Sequence, residues 1–173
     1  MRLQITLENQ QELLGALQNQ GNLKRLLSEA FDGIGEHARS ESRNRAPHDR
    51  GKLRASITYK QEPRDRRGMP TGVRIGTIGG NPPRYAAWME YGTGTVNDHP
   101  TWPKTPHKMG ATAARALTAW GNRKSLNGMG AFWTIKRRGG IKPKRYLRSV
   151  LEDNRAKYIN VIRIAVRRAS ING

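Results

Sequence analysis

Leu23, Leu26, Leu27, Ala30, Phe31, Ile34 and Ala38 recur three and four residues apart. Leu147, Val150, Leu151, Tyr158, Val161, Ile162, Ala165 and Val166 do the same near the other end of the chain. Residues spaced in this way share one face of an α-helix. Each stripe must be buried against another element, so the fold has to bring both ends of the chain onto one core. Pro47 ends the first pattern and Pro143 precedes the second. Gly21-Asn22 reads as a break, with Asn22 as the cap of the first long helix.

Between the stripes the period changes. The stretch 53–57 reads as a helical turn running into a strand through Tyr59, after a turn at 48–51. The charged segment 62–72 reads as an exposed hairpin loop, and Val73, Ile75 and their neighbours to Ile78 alternate as a strand does. Tyr85 to Tyr91 reads as a short helix stopped by Gly92. Leu3, Ile5 and Leu7 suit a further short edge strand, and 10–18 a short helix. The expected fold class is α+β: long N- and C-terminal helices packed on a small antiparallel sheet, in one domain over 1–173. A segment rich in Trp, Gly and Pro, about 94–140, reads as an insertion, with a helix over 109–120 and a strand over 132–135.

Composition narrows the chemistry. The chain has 173 residues and a formal charge of +19, from 32 Lys and Arg against 13 Asp and Glu. Such an excess attracts nucleic acid or an acidic partner surface, and it makes association salt-sensitive. There is no cysteine, which excludes disulfides, thiolate chemistry and cysteine zinc sites and fits a reducing cytosol or a particle assembled there. No run approaches the roughly 20 apolar residues of a membrane span, and the first residues do not read as a secretory signal.

Catalytic groups are sparse. The four histidines, His37, His48, His99 and His107, form no HExxH pair. His99 and His107 have only Asp98 nearby as an additional ligand, short of the three or four that a metal site needs. Neither glycine pair, 79–80 nor 139–140, has the lysine and hydroxyl of a phosphate loop, so both read as tight turns. Glu90 stands among Trp88, Met89 and Tyr91. It reads either as a general acid or as a structural carboxylate that pairs with an arginine or caps backbone amides. The second reading is preferred, since no second acid or nucleophile accompanies it. The sequence therefore points to no catalytic residues, no metal and no cofactor.

Basic clusters remain. Lys136, Arg137, Arg138, Lys142, Lys144, Arg145, Arg148, Arg163, Arg167 and Arg168 are candidates to face DNA or a partner. Twelve basic residues fall between 136 and 168, against Glu152 and Asp153. Trp102, Trp120 and Trp133 interleave with Lys and Arg. They read as core or interface anchors, or as a platform for single-stranded nucleic acid.

Four segments, in order, carry a resemblance: RAPHDRGKLRASI (45–57), VRIGTI (73–78), RYAAWMEYGTGT (84–95) and KPKRYLRSVLE (142–152). Together they resemble the head–tail joining, or tail-completion, family of tailed bacteriophages. The matching positions are Pro47, Gly51, Leu53, Arg54, Ser56 and Ile57, then Tyr85, Ala86, Glu90, Gly92 and Thr93, then Leu147. Arg50 departs from a common Thr, and Lys144-Arg145-Tyr146 stands where Arg-Pro-Phe is common. The stretch before Pro143 is longer than the family's short link.

The resemblance implies a structural virion protein of the neck, assembled in the host cytoplasm as a ring, sixfold to match a tail. Its partners would be copies of itself, head-completion or connector proteins, the tail terminator or tail-tube protein, and phage DNA in the channel. A membrane is not among them. The alternative is a basic DNA- or RNA-binding module outside any virion.

Overall fold

The computed structural model describes residues 20–47, 51–78, 85–104 and 128–171, with single positions at Pro83, Arg115, Thr118, Ala119 and Asn122. Helix α1 runs Gln20–Arg45, and α2 is the single turn Lys52–Ser56. Strands β1 (Thr58–Gln61) and β2 (Val73–Gly76) follow. Next come α3 (Ala86–Tyr91), a 3₁₀ turn at Gly94–Val96, and α4 (Gly128–Arg137). Helices α5 (Arg148–Asp153) and α6 (Arg155–Ile171) close the chain. The architecture is α+β, as the periodicities imply. The strand expected at 3–7, the helix expected over 10–18, most of the helix expected over 109–120, and Trp120 lie outside the described residues.

Three local expectations need correction. Gly21-Asn22 does not interrupt α1, which already includes Gln20. A single glycine costs about 1 kcal/mol in a helix, and Leu23, 3% exposed against Val166 and Ala169, anchors that first turn. The segment 132–135 is helical within α4 rather than a strand. A short aromatic and β-branched run has no period of its own, and the stop signal decides: Gly140 N–H donates to Ile135 O and Gly139 N–H to Lys136 O, both at 3.1 Å. With Gly139 at φ 76°, this is the left-handed cap that closes helices. The last stripe is two helices, not one. Asn154 leaves the helical region at φ −103°, ψ 8°, and its Nδ2–H joins its own backbone N–H on Val150 O, at 2.9 and 3.2 Å.

Among the described residues the sheet has two strands, paired antiparallel with Tyr59 opposite Ile75. It lies on α1, and α6 also lies on α1. The closing helix was expected to bury its stripe on the sheet; it buries it chiefly on the first helix instead. A two-stranded hairpin is too small to cover two long helices. The sheet therefore fills a second side of α1, and Val73 and Ile75 reach the cluster of Ile34, Ala38, Val150, Tyr158 and Ile162. Close approach of sheet and helix depends on Gly35, where a Cβ would lie 2.3 Å from the Tyr59 ring.

A second cluster joins Ala46, Leu53, Ile57, Ala86 and Tyr146, with Met89 and Leu147 against it. Met89 faces this second cluster, and Tyr85 and Trp88 are 39% and 41% exposed.

Candidate functional site

The end of α1, the turn α2, the helix α3 and the start of α5 meet at one place. Arg54 Nε donates to Ala46 O at 3.0 Å and Arg54 Nη2 to Asn44 O at 3.4 Å, so a cation satisfies the unpaired carbonyls at the C-terminus of α1. Arg43 donates twice to Ile57 O, at 3.1 and 2.8 Å. Ser56 Oγ donates to Leu53 O at 2.8 Å. Leu53 and Ile57, 2% and 0% exposed, then pack on Ala86 and Tyr146. Gly51 opens α2 and its carbonyl accepts Ala55 N–H at 2.9 Å; Pro47 lies just beyond the end of α1.

Glu90 is the centre of the site. It is 2% exposed. Its Oε2 accepts Leu147 N–H at 2.9 Å, and its Oε1 accepts Arg148 N–H at 3.0 Å and Arg148 Nε–H at 3.1 Å. The carboxylate thus caps the N-terminus of α5 and pairs with a cation of that helix. It is the structural carboxylate expected from the sequence, in both of its forms at once. The chain wraps α3 to reach it: Lys144 N–H donates to Met89 O at 2.8 Å and Arg145 N–H to Glu90 O at 3.2 Å.

Arg145 has φ 49°, an uncommon conformation for a residue with a side chain. Proline, common at this position in the resembling family, is locked near −65° and has no N–H. The chain therefore makes this turn in its own way. Tyr146 takes the place of the common Phe with its ring 1% exposed and its hydroxyl donating to Ala86 O at 3.3 Å. Burial, then the nearby Glu90 charge, pushes its pKa well above the tyrosine range.

Asp98 extends the network, a role that the sequence reading missed. Its Oδ1 accepts Arg148 Nη2–H at 2.7 Å and its Oδ2 accepts Arg145 Nε–H at 2.6 Å. Burial works upward on this carboxyl, but hydrogen bonds from Arg148 and Arg145 outweigh it and hold its pKa below the usual range. Arg148 is pushed the other way: burial opposes its charge, and Asp98 and Glu90 more than restore it. The Arg148 guanidinium also lies 4.6 Å over the Tyr91 ring. Tyr91 meets His99 edge-on at 4.5 Å, and His99 stacks on Trp102 at 4.4 Å. The only sequence signal for Asp98 was that it and Glu90 are the two charged side chains of a stretch, 85–103, with no Lys or Arg.

The insertion begins and ends beside this network. Thr93 N–H donates to Ile141 O at 2.9 Å, Ile141 N–H to Thr93 Oγ1 at 3.0 Å, and Thr95 N–H to Gly139 O at 3.0 Å. Gly92, at φ 76°, makes the clamp possible, since a Cβ there would lie 2.6 Å from Ile141 O.

The basic candidates separate into two sets. Arg145 and Arg148 are engaged with Asp98 and Glu90. Lys136, Arg137, Arg138, Lys142 and Lys144 are exposed near the end of α4 and the return of the insertion, and Arg163, Arg167 and Arg168 are exposed on α6. Trp133 is 47% exposed, with Lys136 Nζ 4.8 Å over its ring. Trp102 is half-buried in the aromatic stack.

Among the described residues no three His, Asp or Glu side chains group as a metal site, and no helix is long and apolar enough to cross a membrane. The chain matches no protein-family model, no curated protein and no solved structure.

Proposed function

We propose that this protein is a structural virion subunit of a tailed phage, a ring-forming neck or tail-completion protein that joins head and tail around the DNA channel. One observation carries the reading. Three of the four segments that resemble the tail-completion family, distant in sequence, meet around Glu90, and Leu53, Ile57, Ala86, Glu90, Gly92, Thr93 and Leu147 each have a locking role there. The resembling residues thus build one architectural unit, which suits a subunit whose work is to hold shape. Glu90 is poorly placed for acid–base work, because three donors already occupy its carboxylate.

In this reading the partners are further copies of the chain, connector or head-completion proteins on one side, the tail terminator or tube on the other, and phage DNA in the channel. The exposed cations near 136–144 and on α6 lower the electrostatic cost of a polyanion passing by. The test is electron microscopy of particles made without this gene. Unjoined heads and tails are expected. DNA-filled heads still attached to finished tails would overturn the reading.

Trp133 beneath Lys136, beside Arg137 and Arg138, favours a second reading as a nucleic-acid-binding module outside the virion. That reading predicts tight binding of free DNA or RNA by the purified protein, with a steep salt slope. Weak binding in low salt would rule it out.

A further inference from the structure

Helices α1 and α6 lie against each other, and each turns a second stripe outward. On α1 the outward stripe holds Glu29, Asp32 and Glu36, all exposed and spaced three and four apart. Four of the chain's 13 acidic residues lie on this helix. Arg25 pairs with Glu29 at 2.6 Å and Arg39 pairs with Glu36, and among the described residues Asp32 has no ion pair. Gly33, exposed with open space beside it, makes the middle of the stripe shallow.

On α6 the outward stripe is different in kind. The helix contains no acid and five basic residues, Arg155, Lys157, Arg163, Arg167 and Arg168. Ile164 and Ile171, 41% and 80% exposed, stand among the arginines. Apolar side chains bordered by arginine are the composition of a contact surface.

The two stripes also point away from each other. Leu23, Ala30, Ile34 and Ala38 form the buried side of α1, and Glu29, Asp32 and Glu36 fall on its opposite side. Tyr158, Ile162, Ala165 and Ala169 form the buried side of α6, Asn160, Arg163, Ile164 and Arg167 fall opposite, and exposed Arg168, one turn beyond Ile164, borders that face. Two unlike, complementary patches on opposite sides of a subunit make a head-to-tail contact, the kind that closes into rings.

We propose that the outward face of α6 in one copy docks on the outward face of α1 in the next, with Arg163 and Arg168 against Glu29, Asp32 and Glu36, and Ile164 against Gly33. This rests on the ring-forming reading above and names the surface that closes the ring. A chain of charge +19 repels its own copies unless exposed acids meet bases across the contact, and this pairing brings Asp32, flanked by the Arg25–Glu29 and Arg39–Glu36 pairs, against Arg163 and Arg168.

The test is self-association of the purified full chain, measured by sedimentation velocity in low salt without nucleic acid. One variant carries Glu29→Lys, Asp32→Lys and Glu36→Lys, and a second carries Arg163→Glu and Arg168→Glu. Each alone is expected to weaken assembly about tenfold or more, with helical circular dichroism retained. An equimolar mixture is expected to recover it, because each mutated face then meets its opposite in the other variant. Assembly unchanged in either variant, a mixture no better than its parts, or a wild-type chain that stays monomeric would overturn the proposal. Should only the α6 variant change, and only in its binding to added DNA, that face is a nucleic-acid surface and the proposal falls. The result is independent of the virion test: charge-swapped assembly together with intact particles lacking the gene would remove the neck reading and keep the interface.

Discussion

Arg148 meets Glu90 through its backbone and its side chain at once, with N–H at 3.0 Å and Nε at 3.1 Å from the same Oε1. One carboxylate therefore fixes both where α5 begins and where its first cation points. The Arg148 side chain is 18% exposed and that of Glu90 3%, so neither charge has water to replace the other. Breaking such a pair from one side costs about 3–5 kcal/mol where it leaves a buried charge unmatched, as Arg148→Met does to Glu90; after Glu90→Gln, Asp98 still pairs with Arg148 and the cost falls toward the low end of that range. We expect Glu90→Gln and Arg148→Met each to lower stability by an amount of this order in urea denaturation. The double substitution should cost less than the two single changes added together. Additive losses would show that the pair acts as two independent contacts.

Asp98 gives the same network a pH dependence. Its folded-state pKa is held below the unfolded value, so the carboxylate contributes stability when the pH is above the usual aspartate range. That contribution is lost as the pH falls through the lowered folded value. The stability difference between the wild type and Asp98→Asn should be largest near neutrality and should shrink below about pH 4. Thermal melting from pH 7 to pH 3 measures it. A difference that stays constant across that range would remove Asp98 from the acid response.

Much of this was legible in the sequence, and the parts that were not have physical reasons. The stripe of α1 and the stops at Gly92 and Pro47 are local signals, strong because a period or a backbone constraint writes them. The structural role of Glu90 was legible because a lone acid in an apolar helix needs donors. Its donors were not, since Leu147 N–H and Arg148 N–H converge on it only after Arg145 turns to φ 49°. Arg145 and Arg148 read as free cations because nothing local links them to Asp98, 47 and 50 positions away. The last helix divides where Asn154 takes φ −103° and ψ 8°, a backbone choice that hydrophobic spacing does not encode. The strand expected over 132–135 failed because four residues are too few to show a period, and the glycine cap beyond them was the stronger signal.

The clamp at the base of the insertion predicts that the segment can be removed. Thr93 and Thr95 are bonded to Ile141 and Gly139, so the chain leaves and returns at one point. Shortening the loop beyond the clamp costs little, since each doubling of loop length changes the entropy by only about 0.6 kcal/mol. Replacing residues 104–127 by a short Gly-Ser linker should leave the melting temperature of the domain nearly unchanged. Gly92→Ala, in contrast, forces a Cβ against Ile141 O at φ 76° and should cost about 2 kcal/mol or more. If the excision unfolds the domain while Gly92→Ala does not, the clamp is not what holds the insertion's ends.

Tyr158 ties α6 to α1 through His37, whose Nδ1 lies 2.9 Å from the phenol oxygen. Lys157 Nζ lies 2.9 Å from Nε2 of the same ring. An ammonium group only donates, so Nε2 accepts, and the neutral ring carries its hydrogen on Nδ1 and donates it to Tyr158. Burial first, then the nearby Glu41 charge, pushes the Tyr158 pKa up to about 12. A tyrosine with a raised folded pKa contributes stability that is fully present below its unfolded value near 10 and is lost as the pH rises through the folded value. The native protein should therefore lose stability between about pH 10 and 12. Spectrophotometric titration at alkaline pH should show late-ionising tyrosine absorbance, and Tyr158→Phe should remove part of it. The same substitution should reduce the loss of stability over that pH window. If Tyr158→Phe instead removes absorbance that appears near pH 10 and leaves the late phase intact, the phenol is open to solvent and does not lock the two helices together.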